Sequence, residues 1–298
     1  MRIDVSEVKT FRNCHRQWAF GSRNKWNLKS KIPMPALRFG TLFHECLASL
    51  YVGTSLEKVL KYIETQIADP SELRTLTAMI TGYVAEVLPE DLDTYIVKDI
   101  EHHFELSISP FKEQDIQLCG SIDMICLKEL PTEHKGDKPI FEVWGFEHKS
   151  CGRFRDPLYT SMDEQPRLYT IALKEYMKKL QENTPDATFV LGGIFLNEVR
   201  KVQRNFDFKR TTCVYSSEDL ERFCKGFYMS CTQIKEYMKD DIPLPDPGMM
   251  KCTMCMYKNL CEEYAYATPT LSDVLKEFED EFEERAVDHL DEKQEKNL

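Results

Sequence analysis

The sequence predicts an α/β protein in which a helical first part precedes three strands, a helix, two strands and a last helix. Two patterns predict this order. Up to about residue 88, apolar residues recur at helical spacing, as in ALRFGTLFHECLASLY, and Ser6 opens SEVKTFRNCHRQWAF as a helix start. Beyond it the pattern turns to strands: HHFELSIS, IQLCGSIDMICL and IFEVWGFEHKS, with the Gly- and Pro-containing loop PTEHKGDKP before the third. A helix over 163–181, a buried strand ATFVLGGIFL, a strand NFDFKRTTCVY and a helix over 217–239 complete the order.

With 298 residues, 42% hydrophobic and 30% charged, the chain can bury the core of one or two domains and is neither disordered nor collagen-like. No apolar run approaches the ~20 residues of a membrane span, and MRIDVSEVKT has no secretory h-region, so the expected compartment is reducing cytoplasm with no membrane partner. The net charge of −11 is uneven. From Leu271 to Leu298, 11 acids face 4 bases, and this stretch is expected to be an acidic appendage too poor in apolar residues to build a core. Met1–Lys31 instead carries 8 bases against 2 acids, with Trp18, Phe20 and Trp26 interleaved, which is a candidate entrance for nucleic acid. The expected organisation is a helical region over 1–100, a β-containing core over 101–240, a cysteine knuckle over 241–268 and the tail over 269–298, with ordered structure ending near Thr268.

Eleven cysteines in a cytoplasmic chain are not a disulfide framework. Most sit singly among apolar neighbours as small hydrophobes. Cys252, Cys255 and Cys261 differ, because they form a C-x2-C-x5-C knuckle after IPLPDPG and need a fourth ligand, for which Cys14 is the candidate. Four thiolates suit either zinc or an iron–sulfur cluster, and spacing does not choose between them.

In the strand FEHKS, alternation puts Glu147 and Lys149 on one face and His148 on the other. A carboxylate there, with Asp123 of GSIDMI on the preceding strand and the His148 carbonyl, can hold a hard divalent cation, Mg2+ or Mn2+. The Lys149 ammonium can orient water or stabilise charge on a phosphorane. Alone this pattern is weak, since Glu-x-Lys is common on exposed strand faces. His44, one turn after Gly40, is a further candidate ligand. Gln165 and Tyr169, at i and i+4, can bond a phosphate or steady Lys149.

Taken in order, CHRQW, GTLFHE, GSID, EHK, QPRLY and the final cysteine knuckle resemble the RecB-like PD-(D/E)XK nucleases of the iron–sulfur branch, which includes CRISPR-associated adaptation exonucleases and their phage relatives. The resemblance spans about residues 6–264. It implies a restriction-endonuclease-like mixed-sheet core, metal bound by His44, Asp123 and Glu147, Lys149 as catalytic lysine, and Gln165 and Tyr169 as an auxiliary motif. It also implies a 4Fe-4S cluster on Cys14, Cys252, Cys255 and Cys261. The substrate implied is DNA, single-stranded or with free ends, with bases stacking on aromatics such as Trp18 or Trp26 and phosphates on Arg153, Arg155, Arg200, Lys201 and Arg204. The family often has proline after its first cysteine and after the second cysteine of the knuckle, where this chain has His15 and Met256. No G-x4-GK[ST] loop is present, so a helicase, recombination or integrase motor would be a partner. Two other classes remain open: a DNA-end-binding or assembly subunit whose cleavage is dispensable, and a zinc-knuckle protein that docks through its acidic tail.

Overall fold

The computed structural model describes residues 1–31, 35–132, 134, 136–239, 243–266 and 270–285. In chain order its elements are β1 (Arg2–Ile3), α1 (Val5–Asn13), α2 (His15–Gly21), β2 (Leu28–Ser30), α3 (Pro35–Tyr51), α4 (Leu56–Gln66), α5 (Pro70–Glu86) and α6 (Leu88–Thr94). There follow β3 (Ile96–Leu106), β4 (Gln117–Leu130), β5 (Ile140–Cys151), α7 (Pro157–Met162), α8 (Glu164–Asn183), β6 (Thr188–Arg200), β7 (Phe208–Cys213) and α9 (Ser217–Tyr237). The last are α10 (Met249–Thr253), α11 (Lys258–Tyr266), α12 (Leu271–Glu277) and β8 (Phe282–Glu284). No helix among the described residues is long and apolar enough to cross a membrane.

These elements form two compact units rather than four consecutive segments. One, the sheet unit, takes its described residues from Met34–Leu106 and Cys119–Lys225. Its strands run β4-β5-β6-β7, with β3 beside β4. β4 and β5 are antiparallel, β5 and β6 parallel, and β6 and β7 antiparallel, so the sheet is mixed. The parallel pair requires a crossover, and α7 and α8 supply it. α3 and α5 cover one face through Phe43, Leu47, Ile80 and Tyr83, which pack with Phe146 and Phe195 of the sheet. A β-bulge sits where Trp144 lies opposite Gly193, which has φ +142°. A Cβ on neighbouring Gly192 would lie 2.2 Å from the Trp144 ring, so the indole needs glycine beneath it.

The other unit, the cysteine unit, takes its described residues from Met1–Pro33, Ser107–Leu118 and Gly226–Leu298. β1 pairs in parallel with Gln117 and Leu118, and β2 pairs antiparallel with β8. The second pairing overturns the expectation that order ends near Thr268. Thr270 caps α12 in a capping box with Asp273, and Val274 and Phe282 are buried with Phe20, Leu28, Tyr257 and Leu260. Two well-placed apolar residues suffice because the rest of that small core comes from distant parts of the chain. The remainder of the acidic tail, 286–298, lies outside the described residues.

The basic N-terminal stretch also differs from expectation. Trp18 is buried and donates its indole N–H to Glu7 at 3.1 Å, and Phe20 is fully buried, so neither ring is open to a base. Arg16 is buried too, and Arg23 pairs with Asp4 at 3.2 Å. These side chains hold the unit together.

Candidate active site

The sheet unit brings His44, Asp123, Glu147, Lys149, Gln165 and Tyr169 into one connected group. Strand alternation sets its centre: Glu147 and Lys149 share a face of β5, and the Lys149 ammonium contacts Glu147 Oε1. Gln165, on the first turn of α8, donates to the same Oε1 at 3.0 Å and lies 2.7 Å from the Tyr169 hydroxyl. Asp163 caps α8 by accepting from Gln165 N at 3.1 Å, which fixes where the glutamine starts. From β4, Asp123 accepts the His148 backbone N–H at 2.6 Å through Oδ2, and His44 Nδ1 lies 3.1 Å from its Oδ1. An ionised carboxylate only accepts, so His44 Nδ1 carries a proton. A Cβ at Gly40 would meet nothing within 4 Å, so packing does not demand glycine there, and the space one turn before His44 is open.

The electrostatics follow from burial and neighbours. Burial, then the Asp123 charge, pushes the Glu147 carboxyl up to about 7, against the pull of Lys149. Burial would lower the Lys149 ammonium, but Glu147 outweighs it and the net shift is upward. Burial works against ionised Asp123 as well, yet the His44 bond and the His148 amide hold its carboxyl below the usual range. His44 is raised, its bond to Asp123 overcoming burial. Glu147 Oε2 is buried and has no hydrogen-bond partner; Glu198 Oε2 on the next strand is likewise without one, with Lys209 Nζ 4.0 Å away. A buried carboxylate oxygen left without a partner is expensive. A divalent cation would satisfy that of Glu147, and the hard oxygens of Glu147 and Asp123 suit such an ion, though among the described residues His44, Asp123 and Glu147 are not grouped around a single point.

His148 faces the other way, as alternation requires. Its ring sits between Tyr51 and Tyr83, and burial pushes it down to about 4, so it is neutral at physiological pH. Asn197 lies 3.4 Å from its Nδ1 and accepts from Arg210 at 2.8 Å; Arg210 grips Asp91 with two bonds of 2.7 and 2.8 Å. The Asp91 carboxylate also accepts from the Tyr51 hydroxyl, at 2.5 Å. This buried network ties α3, α6, β5, β6 and β7 together beneath the active strand.

In the cysteine unit, Cys14, Cys252, Cys255 and Cys261 line one cavity of about 230 Å³. Cys14 Sγ accepts from Asp246 N at 3.5 Å, Cys252 Sγ from Gly248 N at 3.3 Å and Cys261 Sγ from the Arg16 guanidinium at 3.7 Å. Burial, with the neighbouring thiols, pushes the Cys255 thiol up. Among the described residues no three His, Cys, Asp or Glu side chains are already closed around a single ion.

Over residues 2–262 the sequence matches the PD-(D/E)XK nuclease superfamily. The chain belongs to that superfamily. A solved structure described as a "putative exonuclease" from Eubacterium rectale matches with a TM-score of 0.51 and 11% identity, covering 90% of each chain, a likeness of fold. No curated protein matches the sequence. The mixed sheet with helices is the restriction-endonuclease-like fold of PD-(D/E)XK nucleases, and such nucleases generally use divalent metals.

Sequence reasoning missed several buried polar residues around this candidate site. Glu198 of β6 is fully buried and pairs in register with Lys149. Asn197, Arg210 and Asp91 support the strand from the far side. The signal available was NE interrupting the apolar run GGIFLNEVR, since polar residues inside a buried strand need partners. Of the expected phosphate contacts, Arg155 pairs with Asp163 at 2.8 Å and Arg200 with Asp207 at 2.6 Å. The Lys201 ammonium rests over the Phe39 ring.

Proposed function

We propose that this nuclease is a Mg2+- or Mn2+-dependent deoxyribonuclease, acting as an exonuclease on single-stranded DNA or DNA ends, with a 4Fe-4S cluster in its cysteine unit. The observation that carries the reading is the orphaned Glu147 Oε2 at the centre of the group formed by Asp123, Lys149, Gln165 and His44.

Asp123 and Glu147, helped by His44, would hold the ion, which when bound supplies charge to polarise a phosphodiester and lower the pKa of water. Lys149, charged at neutral pH, places its ammonium where negative charge grows on the phosphorus oxygens during attack. Gln165 keeps Glu147 Oε1 aimed and leaves Oε2 free, while Tyr169 holds Gln165. The His148 amide locks one Asp123 oxygen, which fixes the carboxylate plane. Burial of Glu147 limits competing water and strengthens each of these interactions.

Four thiols lining one cavity, with N–H donors on three of the sulfurs, are compatible with a metal centre, and the resemblance of the sequence favours a 4Fe-4S cluster over zinc. Cys14, Cys252, Cys255 and Cys261 are the proposed ligands. The function proposed is DNA processing, recombination or CRISPR-type adaptation in the cytoplasm, alongside a helicase, recombination or integrase partner.

The test is degradation of 5′- and 3′-end-labelled single- and double-stranded DNA with Mn2+ by anaerobically prepared protein. Lys149→Ala is expected to slow cutting by about 10²–10³-fold. Equal cutting by that variant, or no cutting by folded wild type with its cluster, would contradict the proposal.

A further inference from the structure

Between the active strand and the helix that carries Gln165, the chain builds a short shelf whose apolar side faces out. α7 opens with Pro157, and Asp156 caps it by accepting from Leu158 N at 2.8 Å. Thr160 is fully buried and donates to Asp156 O at 3.3 Å. On the solvent side Leu158, Tyr159 and Met162 are 63%, 73% and 60% exposed. This helix keeps its small polar residue inside and its large apolar ones outside, the reverse of the usual surface helix.

The shelf is not a loose loop, because the backbone leading into it is held from three sides. Arg155 N donates to Glu198 Oε1 at 3.0 Å, Lys209 Nζ donates to Arg155 O at 2.9 Å, and the Arg155 guanidinium bonds Asp163 at 2.8 Å. Glu198 is fully buried and sits opposite Lys149 in the β5–β6 register. Burying a carboxylate is costly, and here it anchors α7 to the strand next to the one bearing Lys149. Asp163, the N-cap of α8, ties the other end of α7 to Gln165.

Charge decides what fits the shelf. Its acids are engaged: Asp156 in the cap, Asp163 with Arg155, Glu198 with the Arg155 amide. Arg153 and Arg204, by contrast, are exposed and have no partner among the described residues. Lys201 N donates to Cys151 O at 2.7 Å at the end of β5, while Gln203, next to Arg204, donates to Ser71 O of α5 at 3.2 Å, so of the two cations it is Arg153 that lies on the segment leading into the shelf. An exposed aromatic between apolar side chains, preceded in the chain by the exposed Arg153 and continuous with the Glu147–Lys149 strand, matches the stacking platform and cationic approach that single-stranded nucleic acid needs.

We propose that α7 is the base platform for the substrate strand: unpaired bases stack on Tyr159 between Leu158 and Met162, and backbone phosphates meet Arg153. The assignment rests on the nuclease reading of Glu147 and Lys149 and deepens it by placing the strand beside them. Trp18 is not the stacking residue, because it is in the core.

The test uses full-length Tyr159→Trp and Tyr159→Ala proteins with (dT)20. With EDTA present, so that no cutting occurs, the emission added by the new tryptophan should be largely quenched as the oligonucleotide saturates. With Mn2+, Tyr159→Ala should raise KM for single-stranded DNA about tenfold and leave kcat nearly unchanged. Added emission indifferent to saturating oligonucleotide, or a wild-type KM in Tyr159→Ala, would overturn the platform. Quenching by a protein whose wild type cuts no DNA would support the platform and fault the nuclease reading instead. Tyr159 is exposed, so neither substitution threatens the fold.

Discussion

The two sites of this molecule are built to opposite plans. In the sheet unit the charged groups already hold one another: Lys149 on Glu147, His44 and the His148 amide on Asp123, Gln165 on Glu147. Among the described residues two buried carboxylate oxygens, Glu147 Oε2 and Glu198 Oε2, have no hydrogen-bond partner, and that of Glu147 lies in this group. In the cysteine unit four thiols line a cavity of about 230 Å³, with only weak N–H···S contacts between them and their surroundings. The difference teaches what each site would ask of the cofactor proposed for it. A site whose charges are paired in advance can bind and release an ion while its strands stay in place. On the proposed reading, a cluster held by Cys14 and the knuckle would add to the bonds that already join these segments, from His15 N to Asp246, from Arg16 to Pro243 O and from Lys251 to Asn13 O.

The largest expected effect follows from that contrast. Cys14→Ala should lose the cluster's visible absorption together with most soluble protein, since closing a loop from residue 14 to 252 is worth on the order of 5 kcal/mol by the loop-entropy relation for disulfides. Removing divalent ions with EDTA should leave the circular-dichroism melting curve nearly unchanged. A Cys14→Ala protein that stays soluble and keeps its absorption would break the comparison and remove Cys14 from the ligand set.

A smaller effect sharpens it on the other side. In the ion-free folded state Glu147 titrates near 7, above its ordinary value, because burial and Asp123 favour the protonated form. The proton must leave before an ion can bind, so affinity rises with pH as the ionised fraction grows. Between pH 6 and 8 that fraction changes about tenfold, and Mn2+ affinity measured by calorimetry should follow it. An affinity flat across this window would show that Glu147 is already ionised, or that it is not a ligand.

Much of this was legible in the sequence. Strand alternation alone put Glu147 and Lys149 on one face and His148 on the other, and the order of strands and helices from residue 96 to 237 follows the periodicity closely. What was not legible depended on distant partners. β1, β2 and β8 span only two or three residues, too few to show a period. Val274 and Phe282 looked too sparse for a core because Phe20, Leu28 and Tyr257, which complete it, lie far away in the chain. Trp18 among bases resembled an open stacking surface, while its burial and its bond to Glu7 belong to the packing of α1 against α2. Glu198 showed only as a polar interruption in an apolar strand, with nothing local to reveal the Arg155 amide it anchors.

The most direct measurement is Mn2+ binding by calorimetry at pH 8 to wild type and Glu147→Gln, with folding of both checked by circular dichroism. Glutamine keeps the shape and removes the charge, so binding should weaken by about 100-fold or more while the fold stays intact. Equal binding by the two folded proteins would contradict the claim that the unpartnered Glu147 oxygen is the seat of the ion.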